Sequence, residues 1–230
     1  TSITADKENM TPEVFRVQRR RQETHDTFTL MLAPKELRAD HIFSPGQFNM
    51  LYVYGVGEVP ISISGNPHEP SELIYTTRAV GTVTKVLSTL KSGSEIGVRG
   101  PFGSHWPTEK AEGGDIIIVA GGIGLAPLRP VIYELMTNRD RYERVVLLYG
   151  ARTPDDILFA GELKKWRGEF HIAVHVTVDR AAGSWRGGVG EVPALISKLQ
   201  IDSKKTIAMI CGPEIMMRYS IRAFEQAAVS

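Results

Sequence analysis

The stretch 115–128, Asp-Ile-Ile-Ile-Val-Ala-Gly-Gly-Ile-Gly-Leu-Ala-Pro-Leu, constrains the fold of this chain more than any other. Its branched apolar residues, 116–119, predict a short strand buried in a parallel sheet. Three glycines follow, at Gly121, Gly122 and Gly124. They allow a tight turn in which the backbone comes close to a ligand, and Pro127 fits the first turn of a helix behind it. Because such a unit presents amide donors and a helix dipole, it predicts an anion site suited to the pyrophosphate of a dinucleotide. The spacing is not G-x-G-x-x-G, so the turn alone does not establish nucleotide binding.

The composition narrows the class of protein. The 230 residues are 42% hydrophobic and 23% charged, with a formal net charge of +1. This composition predicts a globular protein. Its small net charge predicts no overall electrostatic attraction to nucleic acid or to membranes. No apolar stretch approaches the length of a membrane span, and residues 1–10 lack the apolar core of a signal peptide, so we expect a cytoplasmic location. The single cysteine, Cys211, excludes an internal disulfide, a four-cysteine zinc site and an iron–sulfur cluster held by this chain alone. The six histidines show no metal-ligand spacing, so we expect no metal site in the chain as given.

The two halves of the chain have different periodicities. Short strands separated by turn residues are predicted at 14–22, 27–33, 48–54, 61–64, 73–80 and 95–98, with one helix at 84–90. This spacing is typical of a small antiparallel barrel. From residue 115 onward strands and helices alternate, with strands at 116–119, 145–149, 171–178 and 206–211 and helices at 125–136, 156–166, 192–199 and the C-terminus. Repeated β–α units predict a parallel sheet of Rossmann type. We therefore expect a β-barrel domain over residues 10–112 and an α/β domain over residues 113–230.

Six motifs in this order resemble those of the ferredoxin–NADP reductase superfamily. The segment 60–64, Pro-Ile-Ser-Ile-Ser, resembles its flavin-binding strand, and 81–84, Gly-Thr-Val-Thr, its flavin pyrophosphate turn. Gly-Pro-Phe-Gly at 100–103 is similar to the turn that ends the flavin domain. The remaining motifs are the glycine turn at 121–127, Tyr-Gly-Ala-Arg at 149–152 and Cys-Gly-Pro at 211–213. Within the superfamily the chain looks most like the electron-transfer subunits of cytoplasmic hydrogenases, sulfhydrogenases and dihydroorotate dehydrogenases.

The resemblance implies FAD on the barrel and NAD(P)H on the α/β domain. The flavin contacts it implies are Pro60, Ile61, Ser62, Ile63, Tyr75, Thr77, Arg78, Gly81, Thr82, Val83 and Thr84. Among these, Ser62 is expected to act catalytically at flavin N5, although a strand serine can also pair only with backbone. The Thr84 hydroxyl is equally suited to an ordinary helix start, and as alternating strand residues Tyr75 and Thr77 fit either core or surface.

The nucleotide contacts that the resemblance implies are Gly121, Gly122, Gly124, Ala126, Pro127, Arg152, Asp179, Arg180, Cys211, Gly212 and Pro213. Cys211 is expected beside the nicotinamide, as a packing and orienting group and not as a thiolate nucleophile, since nothing cationic is placed to activate it. The alternative interpretation is that Cys211 is a buried core residue that behaves as a small hydrophobic side chain. Glu214 fits the first turn of its own helix better than a nicotinamide contact. A 2′-phosphate favours arginine and a free 2′-hydroxyl favours a carboxylate, so Arg152 and Arg180 favour NADPH over NADH while Asp179 favours the reverse.

The sequence departs from the superfamily pattern in two places. Plant-type reductases carry R-x-Y-[ST], whose arginine pairs with flavin phosphate and whose tyrosine packs on the flavin ring; the matching positions here hold Val59 and Ile61. Arg78 is our candidate for the missing phosphate charge. Related subunits also carry a C-terminal cysteine cluster that holds a [2Fe–2S] centre, and the sequence in hand contains no such cysteines.

These inferences predict a flavin-dependent NAD(P)H oxidoreductase subunit that exchanges electrons with the iron–sulfur centres of a partner in a hydrogenase-type complex. One alternative is a free-standing reductase that serves ferredoxin, flavodoxin or an oxygenase. The other is a nucleotide-sensing module without catalytic activity. The two alternatives differ from the prediction in whether stable partner subunits are present and whether a flavin is reduced.

Overall fold

The computed structural model describes residues 11–35, 41–69, 71–169 and 171–229. Residues 1–10, on which part of the expectation about location rests, lie outside these ranges. The chain divides into two compact units between His105 and Trp106, seven residues ahead of the boundary we expected between residues 112 and 113. Among the described helices, none combines the length and apolar character needed to cross a bilayer.

The first unit is an antiparallel barrel. Its strands are β1 (Glu13–Gln22), β2 (Thr27–Pro34), β3 (Phe48–Val53), β4 (Gly57–Ser62), β5 (Leu73–Arg78) and β6 (Glu95–Phe102), with helix α1 (Thr82–Thr89) between β5 and β6. The strand order is β4-β3-β6-β1-β2-β5. A bridge between Ile63, just after β4, and Tyr75 on β5 joins the two edges of this sheet.

Alternating apolar residues fill the barrel. On β3, for example, every second residue is buried, as expected of a strand with one face on the core. The interior includes Phe28, Leu30, Leu51 and Tyr75, all at most 1% exposed. The predicted barrel class is therefore confirmed.

The second unit is a parallel α/β sheet. Its elements are β7 (Asp115–Gly121), α2 (Leu125–Thr137), β8 (Val145–Ala151), α3 (Ala160–Glu169), β9 (Ile172–Val178), β10 (Gly188–Val189), α4 (Pro193–Ile196), β11 (Thr206–Cys211) and α5 (Glu214–Gln226). The strand order is β10-β9-β8-β7-β11. Every residue of β7 and β8 is buried, and two apolar clusters use opposite faces of β7. Helices thus cover both faces of the sheet, and the predicted Rossmann-like class is confirmed.

Four predicted elements differ clearly in their extent, one of them the strand expected at 95–98, which continues to Phe102. The helix expected at 156–166 begins only at Ala160, because Phe159 has a φ of +52°, which a right-handed helix does not accommodate. The helix expected at 192–199 is a single turn, Pro193–Ile196. The strand expected at 61–64 is Gly57–Ser62, paired with β3. Pro60 obscured this strand in the sequence, yet proline is tolerated there because β4 lies at the edge of the β3 ladder.

Candidate functional site

The strand order of the second unit reverses at β7. On one side β7 pairs with β8, and on the other with β11, the last strand of the chain. The β7–β11 register sets Ala120 opposite Cys211, so the carboxyl ends of both strands lie side by side. In open parallel sheets, ligands bind outside the carboxyl ends of the strands at such a reversal. The structure therefore brings together the glycine turn and the Cys-Gly-Pro segment, which are ninety residues apart in the sequence.

The turn at 121–124, here the Gly121 turn, packs directly on the segment after β11. A Cβ atom placed on Gly124 would lie 2.3 Å from the carbonyl oxygen of Cys211, and one on Gly212 would lie 3.0 Å from Cα of Gly121. Gly122 differs: its φ is +53° and nothing lies within 4 Å of its Cβ position. Thus Gly124 and Gly212 are needed for the close approach of two backbones, whereas Gly122 leaves open space where a ligand can come near.

Helix α2 starts immediately behind the Gly121 turn. Leu125, Ala126 and Pro127 form its first three residues, so Pro127 lies in the first turn as predicted. The first amides of a helix form a donor set for an anion where they have no acceptor within the chain. Here the amide of Leu125 already donates to the carbonyl of Gly122 and Pro127 has no amide hydrogen, so Ala126 is the candidate donor among these three residues. The side chain of Ala126 is only 2% exposed, which argues against a contact between its methyl group and a ligand. Its backbone amide remains part of the donor set.

Cys211 ends β11 and is partly buried. Burial raises the pKa of its thiol, so the group is protonated at neutral pH. This state agrees with the expectation that Cys211 does not act as a thiolate nucleophile. The neighbouring Glu214 lies in the first turn of α5 and pairs with Arg218 at 2.6 Å, so its contact is the helical one we favoured.

The carboxyl ends of β8 and β9 carry the predicted adenosine contacts. Arg152, Asp179 and Arg180 are all exposed, and the amide of Arg180 donates to the carbonyl of Arg152 at 3.1 Å. An open pocket of about 550 Å³ lies beside them, lined by residues that include Thr153, Asp155, Arg180 and Trp185. Arg152 approaches Asp156 at 3.4 Å, which partly offsets its charge.

In the first unit, the turn at 81–84, here the Gly81 turn, opens α1. The Thr84 hydroxyl accepts hydrogen bonds from the amides of Val80 and Gly81, at 3.1 and 2.9 Å, and donates to the carbonyl of Gly81 at 3.1 Å. This is the ordinary helix start left open above. The residues at the exposed tip of the turn are Gly81 and Thr82. The amides that follow them remain helix N-terminal donors.

Three predicted flavin contacts on the barrel are core residues. Tyr75 and Ile63 are 0% and 1% exposed, and Thr77 is 5% exposed. The Tyr75 hydroxyl accepts a hydrogen bond of 2.7 Å from the amide nitrogen of Asn49. Because a side chain enclosed by the protein presents no surface to a ligand, these positions argue against side-chain contacts to a cofactor there. The side chains of these three residues therefore lie outside the proposed site.

The remaining barrel residues are more accessible. Ser62 is partly exposed at the end of β4, and Pro60 is exposed on the same strand. Val59 and Ile61 pack against the barrel core. Arg78 ends β5, and its Nε atom lies 3.2 Å from the carboxylate of Asp26, so its charge is already partly matched within the barrel.

Comparison with known proteins adds the family. The sequence profile of the oxidoreductase NAD-binding domain matches residues 118–221. The gamma subunit of sulfhydrogenase 2 from Pyrococcus furiosus is 34% identical over 208 residues, which cover 85% of this chain and 71% of that subunit. A probable dihydroorotate dehydrogenase B electron-transfer subunit from Methanocaldococcus jannaschii is 33% identical over 179 residues, covering 78% of this chain and 62% of the relative. A ferredoxin NADP+ reductase from Neisseria gonorrhoeae shares the fold with a TM-score of 0.80 at 19% identity, over 93% of this chain and 90% of that one.

The chain belongs to the ferredoxin–NADP reductase superfamily. Membership confirms the predicted enzyme class, a flavin-dependent NAD(P)H oxidoreductase, and its electron-transfer chemistry. Within this superfamily the chain departs from the plant-type pattern at Val59 and Ile61. Valine and isoleucine carry neither a cation nor an aromatic ring, and both side chains pack against the barrel core.

The sequence did not predict two sets of polar contacts within the second unit, those of Tyr149 and those of Arg129. Tyr149, on β8, is fully buried and hydrogen-bonds with its hydroxyl to residues of two different loops. Arg129 on α2 is bidentate with Glu162 on α3, at 2.8 Å for both contacts, and stacks 4.6 Å from the ring centre of Phe159. Both pairings join residues far apart in sequence, so no local pattern indicates them. Among the described residues no group of three His, Cys, Asp or Glu side chains is arranged to hold a metal ion.

Proposed function

We propose that this protein is an FAD-dependent electron-transfer subunit that moves electrons between NAD(P)H and the iron–sulfur centres of a partner in a hydrogenase-type complex. The observation that carries the proposal is the packing of the Gly121 turn against the Cys-Gly-Pro segment at the strand reversal. Amide donors, open space at Gly122 and a neutral thiol meet there. This combination suits a dinucleotide whose pyrophosphate needs donors and whose nicotinamide needs an uncharged surface.

The α/β unit would hold the nucleotide along the carboxyl ends of its strands. The Gly121 turn and the first turn of α2 would bind the pyrophosphate, and Cys211 would pack beside the nicotinamide and orient it. Arg152, Asp179 and Arg180 would contact the adenosine end. Two arginines against one carboxylate favour NADPH, although the pairing of Arg152 with Asp156 weakens that preference.

The barrel would hold the flavin at the Gly81 turn. The chemistry of the donor set fits a pyrophosphate, because the turn is exposed at its tip and the Thr84 hydroxyl keeps the helix start in order. Ser62 would offer its hydroxyl to the flavin ring, and Pro60, Ile61, Thr82 and Val83 would line the cofactor. Arg78 would supply phosphate charge only by giving up part of its contact with Asp26. Bound flavin supplies the step that the chain itself lacks, acceptance of hydride and release of single electrons.

The hydrogenase-type partner is supported by the relatives. Two sulfhydrogenase gamma subunits of Pyrococcus furiosus, at 34% and 36% identity, are matched over 71% and 68% of their length. Dihydroorotate dehydrogenase electron-transfer subunits at 29–35% identity form the other group of relatives, so the partner of this chain remains part of the proposal. The cytoplasmic location also stays a prediction.

The first experiment is an anaerobic absorbance titration of the purified protein with NADH and, separately, with NADPH. We expect a flavin band that bleaches, with the more effective nucleotide giving the preference. Flavin that stays oxidised with both nucleotides, although both bind, would support the nucleotide-sensing alternative and contradict the proposal.

The second experiment addresses the partner. The protein is purified from its native cells under anaerobic conditions, and iron and acid-labile sulfide are measured in the isolated complex. Stable association with an iron–sulfur protein is expected. A monomer that reduces a small soluble ferredoxin or flavodoxin at full rate without partners would instead support the free-standing reductase.

A further inference from the structure

The Tyr149 hydroxyl lies between two loops at the carboxyl edge of the parallel sheet. Tyr149 belongs to β8 and is 0% exposed. Its hydroxyl donates to the carbonyl of Gly122 at 3.4 Å and accepts from the amide of Leu158 at 3.1 Å. One loop is the Gly121 turn, and the other, residues 153–159, is here named the β8 loop.

The contact with Gly122 is long for a hydrogen bond between two oxygens, and it contributes to holding the direction of a peptide plane. The same carbonyl also accepts the amide of Leu125, so it is held toward the protein from two sides. In a trans peptide the carbonyl and the following amide point in opposite directions. Holding the Gly122 carbonyl inward therefore aims the amide of Ile123 away from Tyr149. That amide belongs to the donor set assigned above to the nucleotide pyrophosphate.

The contact with Leu158 fixes the β8 loop. Leu158 is 2% exposed, and its amide would otherwise be a buried donor without this partner. Thr153, Pro154 and Asp155, at the start of the same loop, line the 550 Å³ pocket. A single hydroxyl thus connects the pyrophosphate turn to a wall of the adenosine pocket.

We propose that Tyr149 is a positioning residue for NAD(P)H, whose hydroxyl sets the Gly121 turn and the β8 loop in the arrangement that binds the nucleotide. The inference rests on the proposed function. It assigns Tyr149 no contact with the nucleotide, because the side chain is fully buried. Phenylalanine would fill the same space without the hydroxyl, so the role depends on one oxygen atom.

The test compares Tyr149→Phe with the parent protein. Because one hydrogen bond and a buried amide are involved, we expect Kd for ADP-ribose and KM for NAD(P)H to rise roughly 5- to 20-fold, with kcat nearly unchanged. The matched control is Tyr133→Phe, which removes a hydroxyl bonded to Glu162 at 2.9 Å in the same unit. The control is expected to lower thermal stability without changing Kd. Both variants are expected to lose stability, so the Kd for ADP-ribose is the measurement that distinguishes them.

Three outcomes oppose the inference. If Tyr149→Phe and the parent bind ADP-ribose equally, the positioning role is wrong while the proposed function stands. If Tyr133→Phe weakens binding as much, the effect is general to the unit. If the parent binds neither ADP-ribose nor NAD(P)H, the proposed function fails and the inference with it.

A second measurement covers the case in which Tyr149→Phe does not fold. Amide hydrogen exchange is followed in the parent with and without ADP-ribose. Coupling through the hydroxyl predicts slower exchange of the Leu158 amide when the ligand is bound. If the exchange rate of the Leu158 amide is the same with and without ADP-ribose, the positioning role is contradicted.

Discussion

The two turns that precede helices α1 and α2 offer similar donors but are held in different ways. The Gly81 turn is organised by its own side chain, since the Thr84 hydroxyl bonds the amides of Val80 and Gly81. The Gly121 turn has no side-chain cap, and its shape comes from close packing on the backbone of Cys211 and from the distant Tyr149 hydroxyl. The Gly81 turn is thus held by contacts that are local in the sequence, and the Gly121 turn by tertiary contacts.

This difference determines what each turn tolerates. A Cβ on Gly81 would meet only the Thr84 hydroxyl oxygen, at 3.8 Å, an ordinary contact. A Cβ on Gly124 would meet backbone atoms at 2.3 and 2.6 Å, which cannot move without separating β7 from β11. We therefore expect glycine to be replaceable in the first turn and indispensable in the second.

The largest effect is predicted for Gly124→Ala. The added methyl group overlaps the Cys211 carbonyl, so we expect a loss of roughly 3 kcal/mol or more in the free energy of unfolding, together with the loss of ADP-ribose binding. All three tryptophans, Trp106, Trp166 and Trp185, fall in the second unit, so tryptophan fluorescence during denaturation reports its unfolding.

The control for this variant is Gly168→Ala on α3, where nothing lies within 4 Å of the Cβ position. Its stability should be unchanged or raised by up to about 1 kcal/mol. Equal stabilities of the two variants would mean that the strand ends are not packed as closely as described.

A second prediction concerns the thiol beside the Gly121 turn. Burial raises the pKa of Cys211, so less thiolate is present at a given pH than for a free cysteine. We expect alkylation by iodoacetamide at pH 8 to be slower than for a small-molecule thiol, and to accelerate as the pH rises. NADH should slow it further if the nicotinamide lies against Cys211.

The raised pKa of Cys211 also makes its contribution to folding stability depend on pH. Because the folded pKa lies above the unfolded one, the unfolded state loses its proton first as the pH rises. The contribution of Cys211 to folding is therefore complete below the unfolded pKa and declines above it. Rapid alkylation at neutral pH that NADH does not affect would contradict both the buried thiol and its proposed place beside the nucleotide.

The same contrast explains how much the sequence could predict. The strand at 116–119 and the turn that follows it were predictable because hydrophobic runs and glycines are local signals. The start of α3 was not predictable, because Phe159 adopts a left-handed backbone conformation that no pattern of residues in the sequence indicates. Tyr75 and Ile63 were expected at the cofactor and lie in the core, since strand alternation does not say which face is inside until the register is known. Tyr149 was part of a recognised motif, but the contacts of its hydroxyl were not predictable, because its partners come from two loops that only the folded sheet brings together.

A moderate effect is predicted for Thr84→Ala. Removing the hydroxyl leaves the amides of Val80 and Gly81 without their acceptor, which should cost about 1 kcal/mol in the stability of the barrel. We also expect weaker retention of flavin on gel filtration, because the turn that would hold its pyrophosphate loosens. Thr84→Ser keeps the oxygen and should retain most of both properties. If serine behaves like alanine, the methyl group and not the hydroxyl sustains the turn.

The smallest effect, and the sharpest contrast with Gly124→Ala, is predicted for Gly81→Ala. The φ of Gly81 is −108°, which alanine adopts without strain, and its Cβ position is not crowded. Alanine is a slightly poorer helix cap than glycine, so we expect a loss of no more than about 0.5 kcal/mol in barrel stability, measured by chemical denaturation followed by circular dichroism. A loss comparable to that of Gly124→Ala would show that the Gly81 turn, too, is confined by neighbours and not by Thr84 alone. A normal stability with strongly reduced flavin affinity would instead mean that the space above Gly81 is reserved for the cofactor, because only the ligand would then meet the added methyl group.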